Sequence, residues 1–279
     1  MHNDDCGTGN PLTDMASSIA LDVKHWRVRF PIRGGVLSRV TDYFTAVDDV
    51  SFSLKEGSIL AIVGESGCGK STLVKSLVGL VPSAAGEMSL FGKPVDFRNR
   101  DSMREVRAQV QMIFQDPFSS LNPRQTILEI LAAPLMARGV KFEAAEARAK
   151  TLLDRVSLPV SALAKFPHEF SGGQRQRLCI ARSLMVEPKV LFCDEVTSAL
   201  DVSVQAQILH LLDDLRRELG LSLIFISHDM QVVRALSDEV LVMYMGKIVE
   251  RGISDEVLTN PQNDYTKKLL DSVPVIHRK

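Results

Sequence analysis

The chain has 279 residues, 45% hydrophobic and 24% charged, with a formal net charge of -1. These are ordinary globular values for a chain long enough to bury a large α/β core, and the near-neutral balance gives no electrostatic basis for binding nucleic acid or an acidic membrane surface. No apolar run approaches the roughly 20 residues that cross a bilayer, and residues 1–7 are acidic and polar where a secretory signal is basic and then apolar. A cytosolic protein is expected.

The four cysteines, Cys6, Cys68, Cys179 and Cys193, form no C-x-x-C pair and have no histidine at ligand spacing. Neither a disulfide framework nor a zinc site is indicated. Cys68 precedes a helix, a position that can lower a thiol pKa, although a small loop filler is the simpler reading.

Residues 1–18 are rich in Asn, Asp, Gly, Ser and Thr and read as a flexible tail. Residues 19–24 and 26–30 alternate like two strands, closed by Phe30-Pro31 and a Gly34-Gly35 loop. Phe30 is either core filling or a platform for a stacked base, a role for which Tyr43 and Phe44 compete. Residues 46–54 alternate again, turn at Lys55-Glu56-Gly57, and deliver the apolar run 58–63.

That run leads into Gly64-Glu65-Ser66-Gly67-Cys68-Gly69-Lys70-Ser71-Thr72 and then the helix-like residues 73–77. The G-x-x-x-x-G-K-S spacing between a strand and a helix is that of a phosphate-binding loop. Its glycines let backbone N–H groups converge on an anion, and the helix N-terminus adds partial positive charge. Lys70 is placed to reach the β- and γ-phosphates and the Ser71 hydroxyl to hold Mg2+. Residues 86–92 read as a short hairpin arm.

From about 116 to 186 the texture is helical, with residues 125–137 and 142–156 at helical spacing and five prolines as punctuation. This region reads as a subdomain inserted into the sheet domain. Ser171, with Gln174 three residues on, has capping-box spacing, and Gly172 and Gly173 behind the cap leave backbone N–H groups open to an anion. From the spacing alone, an ordinary capped helix start is the favoured reading of Ser171 and Gln174.

Two more apolar runs end in polar residues: 190–193 in Asp194-Glu195, and 222–226 in Ser227-His228-Asp229. Runs without polar alternation suit strands buried on both faces of a parallel sheet, whose ligands bind at the carboxyl ends of the strands. A helix over 203–219, stopped by Gly220, joins them as a parallel crossover.

In order and spacing, the phosphate loop (Walker A), Gln115 (Q-loop), residues 170–174 (signature), 190–195 (Walker B), 198–201 (D-loop, ending in Asp201) and 227–229 (H-loop) resemble the ATP-binding cassette of ABC transporters over about residues 19–255. The stretches FQDPFSSLNPR at 114–124 and SALDVSVQAQ at 198–207, with the tail at 256–279, are similar to the ATPase subunits of the oligopeptide/dipeptide importer group, which also serves nickel and opines. The signature departs by opening on Phe170 where leucine is commoner. The C-terminal cysteine cluster of some members is missing, since no cysteine lies beyond Cys193.

The resemblance implies an α/β P-loop NTPase with a RecA-like core and parallel sheet, an N-terminal antiparallel β subdomain and an inserted helical subdomain. It implies ATP bound at residues 64–72 with Mg2+ held by Ser71, Gln115 and Asp194, Glu195 polarising the attacking water, and His228 holding the γ-phosphate and that water in line. Phe30 is the choice for the adenine platform, with Tyr43 the alternative. Ser171, Gly172, Gly173, Gln174 and Asp201 would serve the nucleotide of a second cassette paired head to tail. The implied partners are a related ATPase subunit in a heterodimeric pair, two transmembrane permeases and an extracytoplasmic binding protein, with this chain at the cytoplasmic face of the membrane. A non-transport cassette, such as that of a phosphonate-degrading complex, is the alternative.

Overall fold

The computed structural model describes residues 18–34 and 39–271. Residues 1–17 of the tail expected at 1–18, Cys6 among them, Gly35 of the expected loop, and residues 272–279 of the C-terminal segment lie outside the described residues.

The chain opens with β1 (Ile19–Gly34) and β2 (Arg39–Lys55), a long antiparallel pair. The two expected strands at 19–24 and 26–30 are one strand. His25 takes a φ of 51, and the register shifts between Val23 and Trp26. This bulge turns the strand without ending it. After β3 (Ile59–Val63) and α1 (Lys70–Leu77), β4 (Ala85–Leu90) and β5 (Lys93–Pro94) form the expected hairpin arm, and β4 also pairs with β1. The result is a four-stranded antiparallel sheet in the order β2-β1-β4-β5. It is pinned to α1 by Trp26, which is fully buried and donates from Nε1 to the Ser76 hydroxyl at 2.8 Å.

The chain continues through α2 (Arg100–Gln109), β6 (Val110–Ile113) and the helices α3 (Pro117–Ser120), α4 (Ile127–Met136), α5 (Phe142–Arg155) and α6 (Gly172–Leu184). It then returns to the sheet as β7 (Val190–Asp194), α7 (Val202–Leu219), β8 (Ser222–Ile226), α8 (Met230–Leu236), β9 (Glu239–Tyr244) and β10 (Lys247–Ile253). The second sheet has the order β10-β9-β3-β8-β7-β6, parallel except for β10. The crossover of β7, α7 and β8 is parallel as expected, with Gly220 left-handed at the helix end.

Why the central strands lack polar alternation is visible in their packing. In β7, Val190 and Phe192 enter a core shared with the antiparallel sheet and α1, while Leu191 and Cys193 enter one shared with α4 to α7. In β8, Ile224 and Ile226 take the first side and Leu223 and Phe225 the second. Both faces are dry, and each fully buried aliphatic or aromatic side chain contributes roughly 1.5–3 kcal/mol.

The helices α3 to α6 lie between β6 and β7 in the chain. Pro134 lies inside α4. At the C-terminal end, α9 (Ser254–Thr259) spans position 255, and with α10 (Asp264–Asp271) it packs on the sheet through Val257, Leu258, Tyr265, Leu269 and Leu270.

Candidate active site

The phosphate loop leaves the sheet at the end of β3. Gly69 has a φ of 110, and a Cβ there would lie 2.3 Å from the Ala46 carbonyl oxygen, so backbone conformation and space both demand glycine. From outside, the turn between β9 and β10 braces the loop, with the Gly246 N–H donating to the Cys68 carbonyl at 2.9 Å. Lys70 opens α1 and is buried. Its ammonium donates to the carbonyl oxygens of Gly64 and Glu65 at 2.8 and 2.9 Å. Neutral carbonyls compensate a buried cation only in part, which favours an incoming anion. Cys68 is buried under the loop with Sγ 3.8 Å from Lys70 Nζ, which fits the loop-filler reading.

At the end of β7, Asp194 is buried, and its Oδ1 accepts the Ser71 hydroxyl at 2.7 Å. Lys75 Nζ lies 3.7 Å from Oδ2. Behind it, burial pushes the Cys193 thiol up to about 12, with Asp194 adding to the shift, so this sulfur stays neutral. Glu195 has a φ of 48, a left-handed conformation that costs a non-glycine residue roughly 1–2 kcal/mol. The turn is held by the Glu195 N–H on the Ile226 carbonyl at 3.1 Å, and by its own carbonyl accepting the Ser198 N–H and hydroxyl at 3.1 and 2.9 Å. Strain over-determined in this way is characteristic of functional sites.

Glu195 Oε2 accepts from Gln115 Nε2 at 2.8 Å. Gln115 therefore sits on Glu195, not on the Ser71–Asp194 pair with which it was grouped, although it lines a cleft with Asp194 and Lys75. His228 follows β8. Together with Gly64, Glu65, Ser66 and Glu195 it lines a cleft of about 480 Å3. The loop, Glu195 and His228 thus meet at the carboxyl edge of adjacent strands.

The second group of residues stands apart from that cleft. Ser171 caps α6 with both halves of the capping box present: its hydroxyl accepts the Gln174 N–H at 3.3 Å, and Gln174 Oε1 accepts the Ser171 N–H at 3.0 Å. Asp201 caps α7. The Ser203 hydroxyl and the Val204 N–H hold its carboxyl below the usual range. Gly173 is required by packing, since a Cβ there would meet Val204 Cγ1 at 2.5 Å. Gly172 is less constrained, at 3.4 Å from Leu200.

Gly173→Ala is expected to lose roughly 1–2 kcal/mol of stability, overpacking outweighing the gain in helix propensity. Val204→Ala in the same chain should recover most of it. Urea unfolding of the two variants checks this, and a Gly173→Ala chain as stable as the wild type would contradict it.

Phe30 and Phe44 are Cα partners across β1 and β2, so both rings stand on one face of the ribbon and Tyr43 on the other. Both are exposed, and Phe44 lines a cleft with Glu65 to Cys68 of the loop.

The ABC transporter family model matches residues 47–198. This chain belongs to the ABC transporter family. The cassette is 48% identical over 261 residues to the oligopeptide transport ATP-binding protein OppF of Salmonella typhimurium, covering 92% of this chain and 78% of that protein. It is also 48% identical over 256 residues to the glutathione import ATP-binding protein GsiA of Pectobacterium atrosepticum, covering 91% of this chain and 41% of that protein's length. Among solved structures, cbiO1 of Clostridium perfringens, part of an ABC transporter complex, superposes with a TM-score of 0.75 at 28% identity, covering 87% of this chain and 92% of the other. A dimeric cassette, MJ0796 bound to ADP and Pi, gives 0.73 at 26% identity, covering 84% of this chain and 98% of the other. The ABC fold implied by the sequence is the fold of the cassette.

Sequence reasoning missed two residues at the site. Lys75, one turn after Ser71 on α1, faces Asp194. Tyr265, 200 positions away in sequence, accepts the Glu65 N–H on its hydroxyl oxygen at 3.0 Å. Only the position of Lys75 one helical turn beyond Ser71 could have signalled the first.

Proposed function

We propose that this cassette is the ATP-hydrolysing subunit of an importer for peptides or a related small solute. The observation that carries the reading is the meeting of Lys70, Ser71, Asp194, Glu195 and His228 at one sheet edge. Identity of 48% to oligopeptide and glutathione import proteins supports the cargo class.

In the proposed chemistry, the loop N–H groups and Lys70 hold the β- and γ-phosphates of ATP, the ammonium keeping the Gly64 carbonyl and turning its remaining protons to phosphate. Glu195 accepts a proton from a water whose oxygen attacks the γ-phosphorus. The bond to the β–γ bridging oxygen breaks, leaving ADP and inorganic phosphate, while His228 keeps phosphate and water in line. Phosphoryl transfer of this kind is mostly positioning and charge neutralisation. The adenine stacks on the ribbon face that carries Phe30 and Phe44.

The donor set fits Mg2+. Ser71 and Asp194 supply a hydroxyl and one carboxylate oxygen 2.7 Å apart, and no cluster of three metal-ligating side chains occurs among the described residues. A hard cation that keeps waters and binds substrate phosphates needs no fuller protein cage. When bound, Mg2+ neutralises phosphate charge. Gln115, now on Glu195, is the third residue assigned to it and would have to swing toward it.

The Ser171 helix start completes the site of a second, related cassette, and Asp201 borders the same junction. No helix among the described residues is long and apolar enough to cross a membrane, so transport is assigned to two separate permeases supplied by an extracytoplasmic binding protein, with the cassette on the cytoplasmic face. Purification of the tagged chain from detergent-solubilised membranes tests this. Integral membrane proteins should co-elute, and recovery in a soluble complex that lacks them would overturn the transport reading in favour of a non-transport cassette.

A further inference from the structure

We propose that Tyr265, on the C-terminal helix α10, is a positioning residue for the phosphate loop: by holding the Glu65 N–H outward it keeps the Gly64 carbonyl turned inward onto Lys70. The geometry is that of one peptide group fixed at both ends. Glu65 N–H donates to the Tyr265 hydroxyl at 3.0 Å, and the Gly64 carbonyl of the same peptide accepts Lys70 Nζ at 2.8 Å. In a trans peptide the two groups point in opposite directions, so an anchor on one side orients the other. The anchor matters here because Gly64 has a φ of 146, a backbone conformation from which a glycine peptide rotates readily.

Tyr265 is itself well supported. Its ring packs on Tyr244 with centroids 4.3 Å apart, and Tyr244 ends β9 beside the turn whose Gly246 N–H braces Cys68. Its own N–H donates to Asn263 Oδ1 at 2.8 Å, and the Glu250 carboxylate of β10 accepts the N–H groups of Gln262 and Asn263 at 2.6 and 3.2 Å. Burial raises the phenol pKa, so the hydroxyl is neutral at physiological pH. A side chain locked this way transmits the rigidity of the sheet to the loop. The C-terminal helix is thereby part of the nucleotide site, and the loop is pre-shaped before ATP arrives.

The inference rests on the reading that ATP phosphates sit in the loop at residues 64–72. The test measures ATP dissociation constants on the purified full-length chain, and KM and kcat in the assembled complex. Tyr265→Phe keeps the ring and removes the acceptor. Losing one net hydrogen bond of loop order should raise both the dissociation constant and KM about three- to tenfold, with kcat within about twofold of the wild type and the melting temperature unchanged. Glu65→Pro removes the donor, so adding Tyr265→Phe to that background should change affinity no further. Wild-type affinity in Tyr265→Phe, an affinity loss that follows a lowered melting temperature, or full additivity with Glu65→Pro would each overturn the proposal. Lys70→Ala separates the two claims: wild-type affinity there removes the underlying reading, whereas lost affinity there with none lost in Tyr265→Phe removes the proposal alone.

Discussion

Glu195→Gln is expected to cut ATP turnover by roughly a hundred- to ten-thousandfold, the usual contribution of a positioned general base, while ATP affinity stays within about twofold of the wild type. The substitution keeps shape and removes only basicity. The amide oxygen can still accept from Gln115 Nε2, as Glu195 Oε2 does at 2.8 Å. The left-handed turn at φ 48 is held by backbone contacts to Ile226 and Ser198 that the exchange does not touch. None of the groups that receive phosphate is altered. Single-turnover hydrolysis beside equilibrium ATP binding measures the two quantities separately, and turnover at the wild-type rate would remove Glu195 from its role.

Lys70→Ala should act on the other quantity. Its ammonium is buried among carbonyls at 2.8 and 2.9 Å, and when ATP binds it keeps the Gly64 carbonyl and turns its remaining protons to phosphate in charge-assisted bonds. Losing one or two such bonds, at about 1.5–3 kcal/mol each, weakens ATP binding on the order of a hundredfold. Titration with ATP checks this, and an unchanged dissociation constant would place the phosphates elsewhere.

How much of this was legible in the sequence depended on whether the signal was local. The runs at 190–193 and 222–226 were readable as twice-buried strands because each residue enters one of two dry cores. The Ser171 cap was readable because a capping box is a three-residue contact. The bulge at His25 was not, since a histidine at φ 51 carries no turn signature, and one strand read as two. Residues 100–113 carried little signal: α2 buries only Met103 and Val106, and β6 is four residues long with Gln111 only half-buried. The Tyr265 contact spans 200 positions, and no sequence period reports it. The motifs thus named the phosphate loop, whereas the braces behind it are tertiary and had to be seen.

The central claim is that the loop at residues 64–72 is half of a site, completed by the Ser171 helix of another cassette. The most direct measurement is ATP hydrolysis in a complex whose second cassette has its phosphate-loop lysine replaced by alanine, so that only this chain's loop turns over. Ser171→Arg in this chain should leave that hydrolysis within about twofold, whereas the matching serine-to-arginine change in the second cassette's signature should reduce it by at least about a hundredfold. Loss from the change in this chain, with none from the change in the second, would contradict it.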